Sequence, residues 1–157
     1  TKIEFHDTSE YVTLSKHLAG TKNLNIFTSH SLLYPFIISL FLKVWPSLIT
    51  IKLVNVFWIF LIGFTLLKIN NKTAFLLFAF SPLTWIAGIQ TTPILPASFF
   101  FLLSFIFFKK NKTRPSGVFL GLSFAFYTPM ILVIIFFMLV YFWNKCLKNC
   151  LIFLLRH

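Results

Sequence analysis

The sequence is poor in charged residues, and above all in acidic ones. Of 157 residues only 11% are charged, and Asp and Glu together number 3. In soluble domains about a quarter of the residues are charged. A folded domain of this size cannot bury all the hydrophobic residues of a sequence that is 58% hydrophobic. A water-soluble globular enzyme and a disordered polar chain are both excluded. The composition predicts an integral membrane protein.

Cysteine and the usual signatures of soluble catalysis are also scarce. The 2 cysteines, Cys146 and Cys150, are too few and too close for a disulfide framework, and they favour a small apolar or lipidated helix face. The sequence has no metal-ligand spacing, no glycine-rich phosphate loop and no G-x-S-x-G segment. No cofactor and no metal ligand is therefore predicted, although a divalent metal in the reaction stays open.

What the chain does have is positive charge and long apolar runs. Lys and Arg number 14, which gives a formal net charge of +11. In a soluble domain this balance favours nucleic acid, but here the basic residues stand in short clusters between apolar runs. Such clusters orient a membrane protein by collecting on its cytoplasmic side. No nucleic-acid partner is therefore predicted.

The order of the apolar runs predicts an all-α fold, a polytopic transmembrane helix bundle with an extracytoplasmic loop that holds an amphipathic helix. Residues 1–47 form this loop with its surface or interfacial helices, and 48–157 form the transmembrane region. The run 31–45 is shorter than the about 20 residues of a perpendicular span, so it is predicted to graze the membrane. The predicted transmembrane elements are spans 48–67, 73–89 and 94–108, a bent pair over 116–142, and the start of a further run at 151–155.

The positive charges then select one sidedness for this multi-pass arrangement. With 31–45 at the surface, all basic clusters that follow the spans fall on the cytoplasmic side. These clusters are Lys68 with Lys72, Lys109 to Arg114, and Lys145 with Lys148. Residues 1–30, the loop 90–96 and the bend at 128–129 are accordingly predicted to be extracytoplasmic. Because the chain opens with Thr1 and stops just after a new apolar run, we expect it to be a piece of a larger membrane protein.

All carboxylates of the chain stand between Glu4 and Glu10. Apolar residues at helical spacing follow and predict an amphipathic helix: Tyr11, Leu14 and Leu18. Asp7 and Glu10 are three positions apart and share one face of such a helix. One carboxylate of a pair of this kind can act as a base while the other orients it or binds a partner. The alternative is that these acids only solvate a loop and balance nearby lysines.

Four short segments follow one another along residues 5–142. They are Phe5-His6-Asp7-Thr8-Ser9-Glu10-Tyr11, His30-Ser31-Leu32-Leu33-Tyr34-Pro35, Phe80-Ser81-Pro82, and Ser116-Gly117-Val118-Phe119-Leu120-Gly121-Leu122-Ser123. In kind and order they resemble segments of the GT-C membrane glycosyltransferases. In that family an acidic first extracytoplasmic loop precedes a Tyr-Pro segment, a Ser-Pro late in a membrane helix, and a glycine-rich helix after a basic loop.

This resemblance implies an inverting glycosyltransferase of the hexosyl- or mannosyl-transferring kind, and as a piece of such an enzyme the chain is expected to be inactive alone. It would move a sugar from a polyprenyl-phosphate carrier, held in membrane lipid, to an acceptor on the extracytoplasmic face. Asp7 would be the general base, with Glu10 as a second acid, since a carboxylate is ionised at neutral pH unless strongly desolvated. Substrate and phosphate binding would fall to His6, Lys16, Lys22, His30, Tyr34 and Gln90. The sugar, the acceptor and the oligomeric state are left open.

A non-catalytic polytopic membrane protein, either a transporter fragment or an assembly partner, is the alternative. Transporters place ionisable residues at mid-membrane. Here Lys52, which lies one turn from Asn55, is the charged residue placed within a predicted span. Because it lies near the outer end of that span, its ammonium group can reach the surface.

Overall fold

The computed structural model describes residues 6–20, 31–69, 71–136 and 138–139, with side chains in these ranges from Ser9 onward. These residues form helices and no strand, which confirms the all-α prediction. The helices are α1 (His6–Leu18), α2 (Leu33–Val44), α3 (Leu48–Lys68), α4 (Lys72–Phe80), α5 (Pro82–Ile89), α6 (Ile94–Lys109) and α7 (Thr113–Phe126). Residues 130–136 and 138–139 are helical as well.

The amphipathic helix predicted after the acidic cluster is α1. Tyr11 and Leu14 are buried, whereas Leu18 is 36% exposed, so the apolar stripe ends one turn earlier than its spacing suggests. The chain leaves the helix through Gly20, whose φ of +79° is one that a glycine adopts without steric cost. The Gly20 N–H donates to the carbonyl of His17 at 2.9 Å, which closes the last turn.

α3 is the one helix within the described ranges that is by itself long and apolar enough to cross a membrane. It has 21 residues, and its most apolar window has a mean hydropathy of 2.0. Ser47 caps its start by accepting a hydrogen bond from the Ile49 N–H at 3.2 Å. α2 has 12 residues and α6 has 16, and both fall short of the about 20 residues that a perpendicular span requires.

Proline breaks two of the predicted runs. The run 73–89 is two helices, α4 and α5, bent by 57° at Ser81-Pro82, which makes it either one broken span or a re-entrant pair. Pro82 takes the first position of α5, where a missing N–H costs no helix hydrogen bond. The predicted bend at 127–129 is also present, since α7 ends at Phe126 and helix resumes at residue 130.

Interhelical contacts determine which helix ends lie together. The hydroxyl groups of Ser104 and Ser116 are 3.2 Å apart, so the end of α6 lies beside the start of α7. The Ser123 hydroxyl donates to the Ala97 carbonyl at 2.8 Å, so these two helices are antiparallel. α3 runs parallel to α6, because Trp58 packs on Phe99 with ring centroids 5.7 Å apart and the later turns of both helices line one groove.

The ends of α3 and α6 therefore lie at the same end of the bundle, together with the starts of α4 and α7. This end, termed the basic end, carries six cationic side chains, all exposed to solvent. They are Lys68, Lys72, Lys109, Lys110, Lys112 and Arg114. Among the described residues the acidic side chain is Glu10, which belongs to α1 and not to this end.

Candidate functional site

Far from the basic end, three helices meet around one buried amide, that of Asn55 in α3. The Tyr34 hydroxyl of α2 donates to Asn55 Oδ1 at 2.6 Å. Asn55 Nδ2 donates to the carbonyl of Gln90 at 2.6 Å and, at a longer 3.4 Å, to that of Gly88. Together these groups form what is termed the asparagine junction, which joins α2, α3 and the end of α5.

The asparagine junction satisfies groups that would otherwise be costly to bury. The last carbonyls of a helix have no partner within the helix, and the Asn55 amide supplies donors to two carbonyls at the end of α5. Burial raises the pKa of the Tyr34 phenol above its usual range. Its hydroxyl therefore stays protonated and serves as the donor to Asn55.

α1 reaches the asparagine junction through an aromatic pair. The Tyr11 and Tyr34 rings meet edge to face, with centroids 5.7 Å apart and an interplanar angle of 80°. On α1, position 7 precedes Tyr11 by one helical turn, and Glu10 is its direct neighbour. The helix that bears Asp7 and Glu10 is thus anchored beside Asn55, which lies about 20 Å along α3 from Lys68 at 1.5 Å per residue.

Other hydrogen bonds gather loops at the same end of the bundle. The Ser31 hydroxyl, just before α2, donates to the carbonyl of Ala125 near the end of α7. Ser123 holds the end of α7 to the start of α6. The acid-bearing helix, the loop 90–93 and the break at 127–129 consequently lie in one region of the molecule.

Two predicted site residues belong to the asparagine junction itself. Tyr34 is fully buried and its hydroxyl is bonded to Asn55, so in this structure it is a core residue. Gln90 ends α5 and contributes its backbone carbonyl to Asn55. Both residues hold the region together, and their predicted contact with substrate stays a prediction.

The remaining predicted site residues are divided between α1 and the undescribed part of the chain. Glu10 and Lys16 are half-buried on α1, and both interact with other residues. The side chains of His6 and Asp7, and the whole of Lys22 and His30, lie outside the described residues. The structure therefore places Asp7 by its backbone position in α1 alone.

Sequence reasoning singled out Asn55 as a polar residue within a span but found none of its partners. The sequence indicates only that Asn55 needs partners, because a buried amide within an apolar run must be hydrogen-bonded. It does not indicate which residues these partners are. Trp58 is a second buried residue whose environment the sequence did not predict. Its ring packs among Phe99, Phe100 and Phe126, and its buried indole N–H lacks a hydrogen-bond partner among the described residues. Nothing in the sequence distinguishes it from the exposed Trp45 and Trp85.

The described residues form apolar grooves along α3. The first, termed the α3–α6 groove, has a volume of about 550 Å³ and is lined mainly by Ile62, Leu66, Ala87, Leu95, Leu102 and Phe105, with Thr84 and Ser98 as its polar members. The second lies between α2 and α3, measures about 590 Å³ and is lined by Phe41, Val44, Trp45, Thr50, Leu53, Val54 and Phe57. Linings of this kind suit hydrocarbon rather than sugar or phosphate.

Neither a metal site nor a related protein indicates the chemistry of this region. Within the described ranges, no three His, Cys, Asp or Glu side chains are grouped so as to hold a metal ion. No family model, curated protein or solved structure gives a significant match to this chain. The likeness to the GT-C glycosyltransferases therefore depends on the sequence segments and their order alone.

Proposed function

We propose that this chain is a multi-pass integral membrane protein. The supporting observation is the large apolar surface that its helices leave uncovered, for example on α4 and α5, where Phe80 is 80% and Leu83 75% exposed. Contiguous apolar surface of this kind is rare on soluble monomers. In lipid, exposed apolar surface has no hydrophobic cost. The helices form the hydrogen bonds of their own backbone groups, as a lipid environment requires.

The proposed orientation places the basic end in the cytoplasm and α1 on the opposite side. Cytoplasmic loops of membrane proteins carry an excess of Lys and Arg. The cationic loops α3–α4 and α6–α7 share the basic end, whereas Asp7 and Glu10 belong to the helix anchored near the other end. Charge counting along the sequence and the packing of the helices thus support the same sidedness.

We further propose that this protein is an inverting glycosyltransferase that takes its sugar from a polyprenyl-phosphate carrier. The carrying observation is the anchoring of the acid-bearing α1 to the asparagine junction, beside the loop after α5 and the break after α7. Asp7 would remove the proton of the acceptor hydroxyl, whose oxygen attacks the anomeric carbon. The bond from that carbon to the phosphate oxygen then breaks, the lipid phosphate leaves, and the configuration inverts.

The apolar surface supports this substrate class, because a polyprenyl tail cannot leave hydrocarbon without a large loss of free energy. The interior offers less support for a transporter. The buried polar side chains of the described residues are uncharged, and Lys52 is exposed on α3. Transporters more often place ionisable residues in such an interior.

The experiment that tests this function is Asp7→Asn, with Glu4→Gln as the matched control that removes the same charge from the same segment. Radiolabelled polyprenyl-phosphate mannose is added to membranes of cells that make the full-length protein, and loss of label from the lipid fraction is measured. A general base contributes about 10²- to 10⁴-fold, so Asp7→Asn should lose at least about 100-fold at an unchanged protein level. Transfer at the unaltered rate would remove Asp7 from the mechanism.

A further inference from the structure

The basic end carries charge that the proposed reaction on the opposite side does not use. Two of its ammonium groups lie against aromatic rings that line apolar grooves. Lys109 Nζ is 5.1 Å from the ring centroid of Phe105, which lines the α3–α6 groove. Lys68 Nζ is 5.3 Å from the ring centroid of Phe64, which lines a different apolar groove, between α3 and α4. Cationic and apolar surface are therefore continuous here.

The α3–α6 groove leads to one of these cations, Lys109. Phe105 lines the groove near the end of α6, and Lys109, one helical turn further along the same face, lies over the Phe105 ring. No carboxylate of the described residues belongs to these two helices or to the loops that follow them. A ligand in the groove would thus have a hydrocarbon surface along most of its length and unopposed positive charge at one end.

We propose that this place binds an anionic phospholipid of the surrounding membrane. Its headgroup phosphate lies at Lys109, and one of its acyl chains lies in the α3–α6 groove. A soluble anion would contact the basic end but leave the groove empty. A zwitterionic lipid would fill the groove but bring no net charge to the basic end. An anionic phospholipid is complementary to both. The inference depends on the proposed membrane location, and it is independent of glycosyl transfer.

The charge side of this inference is tested with spin-labelled lipids and the purified protein in phosphatidylcholine vesicles. The association of labelled phosphatidylglycerol is compared with that of labelled phosphatidylcholine, with no sugar donor present. A lysine near an anionic surface contributes about a fivefold factor. The Lys109→Gln variant should therefore lose about fivefold of the preference for phosphatidylglycerol. Lys43→Gln/Lys52→Gln, which removes two exposed lysines remote from the basic end, should keep it.

The groove side is tested by Ser98→Trp, which fills the α3–α6 groove without altering charge. Association of phosphatidylglycerol should fall several-fold, while circular dichroism reports unchanged helicity. If the lysine variant does not fold, raising the salt concentration on the unaltered protein takes its place and should reduce the preference. Equal association of the two lipids, equal losses in both lysine variants, full association in Ser98→Trp, or displacement by an equal concentration of glycerol phosphate would each overturn the inference.

Discussion

At the scale of single residues, the structure depends on one amide placed in the middle of an apolar helix. Asn55 is fully buried, with its oxygen accepting from Tyr34 and its nitrogen donating to two carbonyls. A buried amide without partners would be strongly destabilising. Its partners come from α2 and from the end of α5, so satisfying this amide favours the arrangement in which the three helices meet.

Replacing Asn55 should therefore weaken the fold more than its size suggests. Asn55→Leu leaves the Tyr34 hydroxyl and the Gln90 carbonyl without their partner, and we expect a loss of about 2–4 kcal/mol in the free energy of unfolding. Tyr34→Phe removes one bond and should cost about 1–2 kcal/mol. Unfolding by increasing SDS in mixed micelles, followed by circular dichroism, measures both.

A double-mutant cycle separates the specific bond from general damage. The double variant Tyr34→Phe/Asn55→Leu should cost less than the sum of the two single variants, because the second change removes a partner already lost. Thr65→Val is the control on the same helix, since its hydroxyl bonds within α3 to the Leu61 carbonyl and joins no other helix. Strict additivity would mean that the asparagine junction does not couple α2 to α3.

At the scale of elements, the sequence predicted best what local chemistry decides. Proline lacks the N–H that a helix interior needs, and so the breaks at Pro82 and Pro129 occur where they were expected. The 57° size of the bend between α4 and α5 was not predictable, because a proline indicates where a helix breaks but not by what angle. The edge-to-face pair of Tyr11 and Tyr34 was equally hidden, since a long-range contact leaves no periodic signal in either helix.

The candidate site was predictable to the same limited degree. Composition identified the acidic cluster, and spacing predicted an amphipathic helix from Glu10 to Leu18. α1 begins earlier, at His6, and therefore also includes Asp7. Spacing alone could not show that the Tyr34 hydroxyl would be hydrogen-bonded to Asn55. Nor could it show that Gln90 would bind Asn55 through its backbone carbonyl rather than its side chain. Such pairings depend on how separate helices meet, which the sequence encodes only through the whole core.

α7 offers a prediction at this scale, in the glycine-rich segment that resembles the transferase family. A Cβ atom added at Gly117 or Gly121 would meet no atom within 4 Å. Because alanine favours a helix interior over glycine by about 1 kcal/mol, Gly117→Ala and Gly121→Ala should each raise the free energy of unfolding by up to that amount. SDS unfolding of the purified protein checks this.

Gly88→Ala is the matched contrast for these two substitutions. Its added Cβ would lie 2.5 Å from Ile59 Cδ1, so the isoleucine side chain must shift before any gain in helix propensity is realised. We expect no stabilisation there. Destabilisation by Gly117→Ala or Gly121→Ala instead would mean that another helix packs against this face of α7 in the membrane.

At the scale of the whole molecule, positive charge is concentrated at one end. Exposed lysines and Arg114 surround the loops α3–α4 and α6–α7, while the other end has fewer cations among its described residues, Lys43 and Lys52 included, and the acidic cluster that precedes and enters α1. In a membrane this asymmetry sets orientation, and orientation decides which compartment the acid-bearing helix meets. The proposed transferase therefore depends on this sidedness. The proposed lipid site uses the opposite end of the molecule and depends only on the membrane location.

Sidedness is open to direct measurement with single cysteines in a Cys146→Ser/Cys150→Ser background. Ser9→Cys reports on α1, and Thr113→Cys reports on the basic end, since both positions are exposed. A membrane-impermeant maleimide should label Ser9→Cys in intact cells and Thr113→Cys only after the membrane is permeabilised. The reverse pattern would place Asp7 in the cytosol, where an extracytoplasmic acceptor is out of reach, and would end the glycosyltransferase proposal. Labelling of both positions in intact cells would show that the segment between them does not hold the two ends on opposite sides.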